Sequence, residues 1–125
     1  MYTLIVRASF DAAHDIPGHA GKCSRTHGHR YQVEAEFAGD QLDANGMLFD
    51  FADLRAAVER HLPDHSYLNE VLPVPTTAEC IARWLHERLV ADGLPVSATT
   101  IWETERCGCR YEPRAGPSAA EAADP

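Results

Sequence analysis

Two stretches of alternating apolar and polar residues, joined by a loop, restrict the fold of this chain more than any other feature. In the first, residues 2–13, the even positions are mostly apolar and lead to His14. In the second, residues 29–38, the apolar residues take the odd positions and follow the pair His27 and His29. A period of two is typical of strands, because successive side chains point to opposite faces. We therefore predict an antiparallel pair of strands with three histidines together on its inward face, at the loop end.

This histidine cluster predicts a metal site. Three neutral imidazoles with a fourth position left open are a donor set of catalytic zinc. Two alternatives stay open. Cys23, in the loop, would complete a closed and purely structural site, since zinc also accepts mixed sulfur and nitrogen ligands. His19, in the same loop, competes with His14 as the third ligand.

Two helices are predicted in the middle of the chain. Asp50 caps the first, which runs to about residue 62 with apolar residues at helical spacing, and Pro63 ends it. Thr76 and Glu79 read as a capping box, in which the threonine hydroxyl and the glutamate side chain each take one free backbone amide. The second helix starts there and stops near Gly93.

Two strands, at residues 96–105 and 107–113, complete the order β-β-α-α-β-β. This order predicts an α+β fold, a four-stranded antiparallel sheet with two helices on one face. Residues 1–114 are expected to form one domain, and residues 115–125 a disordered tail. The free edges of such a sheet can pair with other subunits, so we expect a homo-oligomer.

The charge of the chain excludes some classes of partner. A net charge of −8 over 125 residues argues against binding to a nucleic-acid backbone or to an anionic membrane. The apolar runs are too short to span a bilayer, and the N-terminus has no signal-peptide pattern. Four cysteines in such a chain are poor grounds for disulfides. We therefore expect a cytoplasmic protein that binds neither nucleic acid nor membrane.

A set of short motifs occurs in order between residue 2 and about residue 112. The motifs are Ala-Ala-His14, Cys23-x3-His27-Gly-His29, Phe49-Asp-Phe51, Asp64-His65-x-Tyr-Leu-Asn69, Thr-Ala-Glu79 and Glu103-Thr104. The ordered set resembles the 6-pyruvoyltetrahydropterin synthase family. Within that family it is closest in pattern to the bacterial 6-carboxy-5,6,7,8-tetrahydropterin synthases of 7-deazapurine (queuosine) biosynthesis. The whole set is far more specific than any one of its motifs.

The resemblance implies a T-fold, or tunnelling fold, with trimers stacked into a homohexamer and active sites at subunit interfaces. It implies a pterin triphosphate substrate, 7,8-dihydroneopterin triphosphate, and a Zn2+ ion. His14, His27 and His29 match the zinc ligands of the family.

The resemblance also implies catalytic roles. Cys23 matches the thiol that acts as a general base, and Asp64 with His65 matches a relay pair. These two neighbours can act together only if the loop turns their side chains toward each other. Glu103 matches the carboxylate that anchors the pterin ring, with backbone groups near Thr77 as secondary contacts.

The sequence leaves the product open. Cleavage of a carbon–carbon bond would release acetaldehyde and triphosphate and leave a 6-carboxy group, whereas elimination of triphosphate alone would leave a 6-pyruvoyl group. The Cys-x3-His-Gly-His spacing occurs in enzymes of both kinds. A third hypothesis is a non-catalytic module with a closed structural zinc site. The helix start also departs from the family pattern, because Pro75-Thr-Thr-Ala-Glu79 has one threonine more than the usual Pro-Thr-Ala-Glu.

Overall fold

Two long antiparallel strands, β1 (Tyr2–His14) and β2 (His27–Gly39), form the centre of the structure. The computed structural model describes residues 1–114, and the predicted tail at 115–125 lies outside the described residues. The two strands pair in one continuous register, from Tyr2 opposite Gly39 to His14 opposite His27. β2 begins two residues earlier than predicted. Both members of the H-x-H pair therefore lie within the strand, and the alternation places them on the face of His14.

The sheet has five strands rather than the predicted four, in the order β3-β1-β2-β4-β5. The additional strand, β3 (Ser66–Tyr67), lies in a segment where no strand was predicted, and it runs parallel to β1 beside Ala12 and Ala13. A left-handed turn at His65 brings it there, with the His65 amide donating to the carbonyl of Asp11 at 2.7 Å. The last two strands are β4 (Val96–Trp102) and β5 (Gly108–Tyr111), both shorter than predicted.

Within residues 1–114 there are three α-helices instead of the predicted two: α1 (Phe51–His61), the single turn α2 (Leu68–Val71) and α3 (Ala78–Ala91). The Asp50 side chain accepts from the Ala52 amide and caps α1, as predicted. The predicted cap of α3 is wrong by one residue. The Thr77 side chain, not that of Thr76, accepts from the Cys80 amide, because the Thr76 side chain is buried and makes other hydrogen bonds.

The hydrophobic core lies between the inner face of the sheet and the two longer helices. Buried side chains alternate along β2 and recur at helical spacing on α1 and α3; they include Tyr31, Val33, Phe37, Leu54, Val58, Ile81, Leu85 and Leu89. The outer face instead carries cross-strand ion pairs: Arg7 with Glu34, Arg30 with Asp11, and Arg110 with Glu36. One dry and one wet face are the pattern that the alternation predicted.

The outer edge of β1 is mostly open. Within residues 1–114, β1 pairs on that side with β3 alone, over Ala12 and Ala13. The backbone from Tyr2 to Phe10 therefore presents a free strand edge, of the kind that pairs readily with another chain. None of the helices in the described residues has the length and apolar character needed to cross a membrane.

Candidate metal centre

Three histidines and one glutamate converge where β1 and β2 meet the loop that joins them. The group is His14, His27, His29 and Glu103, each offering one ligand atom, and these atoms all lie within 4.8 Å of one another. His14 is fully buried at the end of β1, and the other two histidines are partly exposed on β2. The register that sets His14 opposite His27 is what brings the rings together.

Backbone carbonyls orient two of the three rings. The Nδ1–H of His14 donates to the Thr76 carbonyl at 2.8 Å, and the Nδ1–H of His27 donates to the Arg25 carbonyl at 2.7 Å. A neutral imidazole that donates through Nδ1 keeps a lone pair on Nε2. In the neutral form both rings turn an Nε2 lone pair toward the other at 3.0 Å, an arrangement that a cation bound between them satisfies.

The His29 ring is also favoured in the neutral form, for a different reason. Its Nε2 is buried and makes no hydrogen bond, although Glu103 Oε1 lies 3.1 Å away. Burial lowers the pKa of His29; the charge of Glu103 opposes this shift, and His14 and His27 add to it. The ring is therefore favoured in the neutral form that a metal ligand requires. Three neutral imidazoles, one of them without a partner, together with a carboxylate, fit a zinc ion.

A clamp around Asp15, the residue after His14, holds the buried ring in place. The side-chain amide of Asn69, on α2, accepts from the Asp15 N–H at 3.0 Å and donates to the Asp15 carbonyl at 2.9 Å. The Thr76 hydroxyl reaches the same carbonyl at 3.2 Å, and Tyr67 donates to the Asp15 carboxylate. No role for Asn69 was predicted from the sequence, although Asn69 belongs to the motif Asp64-His65-x-Tyr-Leu-Asn69. The feature of the sequence that points to a role for Thr76 is the additional threonine in Pro75-Thr-Thr-Ala-Glu79.

The structure does not bring Cys23 into this group. Cys23 lies in a 3-10 turn, Lys22–Ser24, within the β1–β2 loop, and its carbonyl accepts from the Ile16 amide at 2.7 Å. Its Sγ is not among the ligand atoms that lie within 4.8 Å of one another, and the fourth group is Glu103 instead. His19 is exposed in the same loop and is also outside the group, so His14 is the third histidine.

Asp64 and His65 do converge on each other, because of the left-handed turn at His65. Asp64 Oδ2 lies 2.9 Å from His65 Nδ1. Asp64 Oδ1 accepts from the amides of Asp11 and His65, at 2.9 and 3.1 Å. The Asp11 amide is the largest cause that holds the pKa of Asp64 below its usual range, with smaller contributions from His65. The result is an ionised carboxylate fixed against an imidazole.

This pair forms, with Asp11, a second group of ligand atoms that is separate from the metal group. Asp64 and His65 sit beside Asp11 at the open edge of β1, and the His65 side chain is 80% exposed. Asp11 and His14 are three positions apart in one strand, so their side chains point to opposite faces. The described chain thus presents two separate sets of functional groups.

Glu103 also borders a cavity whose lining contains none of the three histidines. It was predicted to lie within a strand, but it follows β4 directly and begins a tight hairpin, its amide donating to the Cys107 carbonyl at 2.9 Å. The cavity, of about 310 Å³, lies between this hairpin and the start of α3; its lining is Ala78, Glu79, Glu103, Cys107, Gly108 and Cys109. Thr77 immediately precedes the lining residues, with its hydroxyl engaged in the helix cap.

Comparison with known proteins agrees with this arrangement. Residues 3–114 match the family described as 6-pyruvoyl tetrahydropterin synthase. A 6-carboxy-5,6,7,8-tetrahydropterin synthase of Synechocystis sp. is 38% identical over 94% of this chain and 98% of its own length. One of Haemophilus influenzae is 31% identical, over 90% and 99%. The 6-pyruvoyl tetrahydropterin synthase structure of Caenorhabditis elegans superposes with a TM-score of 0.80 at 25% identity, over 90% of this chain and 95% of that one.

Proposed function

Because this chain belongs to the 6-pyruvoyl tetrahydropterin synthase family and has its T-fold, we propose that it is a zinc-dependent 6-carboxy-5,6,7,8-tetrahydropterin synthase. Its substrates are 7,8-dihydroneopterin triphosphate and one water molecule, and its products are 6-carboxytetrahydropterin, acetaldehyde and triphosphate. The reaction is a carbon–carbon bond cleavage that supplies 7-deazapurine biosynthesis.

The observation that carries this proposal is the convergence of three histidine Nε2 atoms beside a carboxylate that also lines a cavity. His14, His27 and His29 hold the zinc ion, and the cavity takes the pterin ring. Bound zinc supplies Lewis-acid polarisation of the oxygens on the substrate side chain, which makes the adjacent C–H protons easier to remove.

The protein side chains bind the ring and move the protons. Glu103, in the lining of the cavity, accepts hydrogen bonds from the amino group and the ring N–H of the pterin, which lie side by side. Cys23 is the general base, and its thiol stands on a loop next to the ligand strands. The ionised Asp64 orients the His65 ring, and this pair relays protons.

We propose that the active site is completed between subunits. The relay pair lies at the open edge of β1, and its imidazole is exposed, so a second chain that pairs along that edge receives His65 next to its own groups. This arrangement sets the relay pair of one chain next to the groups of a second chain, and it covers the free strand edge. A homohexamer built as a dimer of trimers satisfies both requirements.

The test is to mix zinc-loaded protein with 7,8-dihydroneopterin triphosphate and identify the products by mass spectrometry. We expect acetaldehyde and 6-carboxytetrahydropterin. A 6-pyruvoyl product with free triphosphate would replace this proposal with the elimination reaction. An absence of turnover in folded, zinc-loaded protein would favour a structural zinc module.

A further inference from the structure

Glu103 belongs to two places at once. Its Oε1 lies 3.1 Å from His29 Nε2 and 3.8 Å from His14 Nε2, within the group of metal ligand atoms. The same side chain lines the cavity next to Cys107 and Gly108. It is about three-quarters buried, at 24% exposure, and it has no lysine or arginine partner among the described ion pairs.

The two places make different demands on one carboxylate. Completing the metal group needs one oxygen, whose charge offsets part of the charge on a divalent ion held by three neutral rings. Accepting the paired amino and ring N–H groups of a pterin uses both oxygens. One side chain cannot meet both demands fully, so metal and pterin ring compete for it.

We propose that Glu103 is a shared ligand that completes the metal-binding group in the substrate-free protein and is withdrawn by the arriving pterin ring. Ring recognition then opens the fourth metal position to the side-chain oxygens of the substrate. This inference rests on the proposed pterin chemistry of the cavity. It goes beyond that chemistry because it couples ring recognition to metal coordination through one residue.

The first test is metal affinity, compared between two carboxylates that line the same cavity. Replacing an outer-shell partner of a metal ligand typically weakens metal binding by about 10- to 100-fold, so loss of a direct ligand should cost at least about tenfold. We expect Glu103→Gln to weaken zinc binding by this factor and to change the visible absorption spectrum of the cobalt-substituted protein. Glu79 lines the cavity but is outside the metal group. Glu79→Gln should therefore keep the zinc affinity of the unaltered protein.

The second test uses 6-methylpterin, which has the pterin ring and no side-chain oxygen to offer the metal. Competition for Glu103 predicts that 6-methylpterin binds more weakly to zinc-loaded than to metal-free protein, by at least about fivefold, and that it weakens zinc binding by the same factor. In Glu103→Gln the affinity for the ring should fall, and it should no longer depend on zinc.

Three results would overturn the inference. The first is an unchanged zinc affinity and cobalt spectrum in Glu103→Gln. The second is an equal loss of zinc affinity in Glu79→Gln, because local charge alone would then explain the effect. The third is a 6-methylpterin affinity that ignores zinc, or no binding of the ring at all. These outcomes are separate from turnover: a protein that shows the coupling but leaves dihydroneopterin triphosphate intact refutes the proposed reaction and retains the shared ligand.

Discussion

The substitution Asn69→Ala should weaken the metal site without touching a metal ligand. Asn69 binds both backbone groups of Asp15, with its Oδ1 accepting from the N–H at 3.0 Å and its Nδ2 donating to the carbonyl at 2.9 Å. Asp15 directly follows His14, whose ring is set by the Thr76 carbonyl. Without Asn69, the Asp15 carbonyl keeps the Thr76 hydroxyl, at 3.2 Å, and the Asp15 N–H loses its acceptor.

The expected size of the effect follows from the bonds that are lost. Each hydrogen bond contributes about 0.5–1.5 kcal/mol net, so the free energy of unfolding of the metal-free protein should fall by roughly 1–3 kcal/mol. Because the clamp positions His14, zinc binding should weaken by about 10- to 100-fold. Urea unfolding with a chelator measures the first quantity, and competition with a chromophoric chelator measures the second.

The matched control is Asn45→Ala, the same change at an exposed position in a turn. It should alter the free energy of unfolding by less than about 0.5 kcal/mol and leave zinc affinity unchanged. Asn69→Asp keeps an oxygen for the Asp15 N–H but loses the donor to its carbonyl, so it should fall between the two. If Asn69→Ala lowers stability and binds zinc as tightly as Asn45→Ala, the clamp does not position His14 and the reasoning is refuted.

Three further outcomes are expected. Cys23→Ala should keep zinc and lose turnover, whereas His29→Ala should lose both. Bound zinc and product formation, measured on the same samples, check this prediction. Near-normal activity in Cys23→Ala would reject the role of Cys23 as a base. Gly108→Ala should lower the free energy of unfolding by about 1–3 kcal/mol, because the added carbon would lie 2.7 Å from the Trp102 ring. In the control Gly28→Ala the added carbon meets ordinary contacts from 3.7 Å. Chemical denaturation compares the two variants, and equal stabilities would contradict the packing argument. Since burial lowers the pKa of His29 below 6.5, the unfolded chain takes up the proton first as the pH falls, and the metal-free protein should lose stability below that value. Urea unfolding across this pH range should show a smaller loss of stability in His29→Gln than in the unaltered protein. An equal loss in both proteins would exclude His29 as the cause.

Local pattern was sufficient for the main framework of the fold. The alternation along β1 and β2 predicted the antiparallel pair and the shared inner face of the three histidines, and both are present. Helical spacing after Asp50 and the breaker Pro63 predicted α1 within one residue. These signals are strong because each depends on the chain's own periodicity and on a long contact with the core.

Shorter elements escaped prediction because they are stabilised by distant residues. Strand β3 has two residues and exists through its pairing with Ala12 and Ala13. Thr76 and Thr77 are equivalent as caps in the local sequence, and the buried contacts of Thr76 with His14, Asp15 and Asn69 exclude the first. His86, on α3, is buried at 4% exposure against Tyr111, a contact that exists because β5 packs on α3.

The sequence alone determined which side chains share a face, and hence that His14, His27 and His29 gather at one end of the sheet, because strand alternation is a local property of the backbone. Only the tertiary structure decided the fourth member of that group. Cys23 is near in sequence and Glu103 is more than seventy residues from the histidines, yet the hairpin after β4 brings the carboxylate into the group, whereas the Cys23 thiol lies outside it. The physical reason is that strand order, not sequence distance, sets neighbours across a sheet: β4 pairs directly with the ligand strand β2.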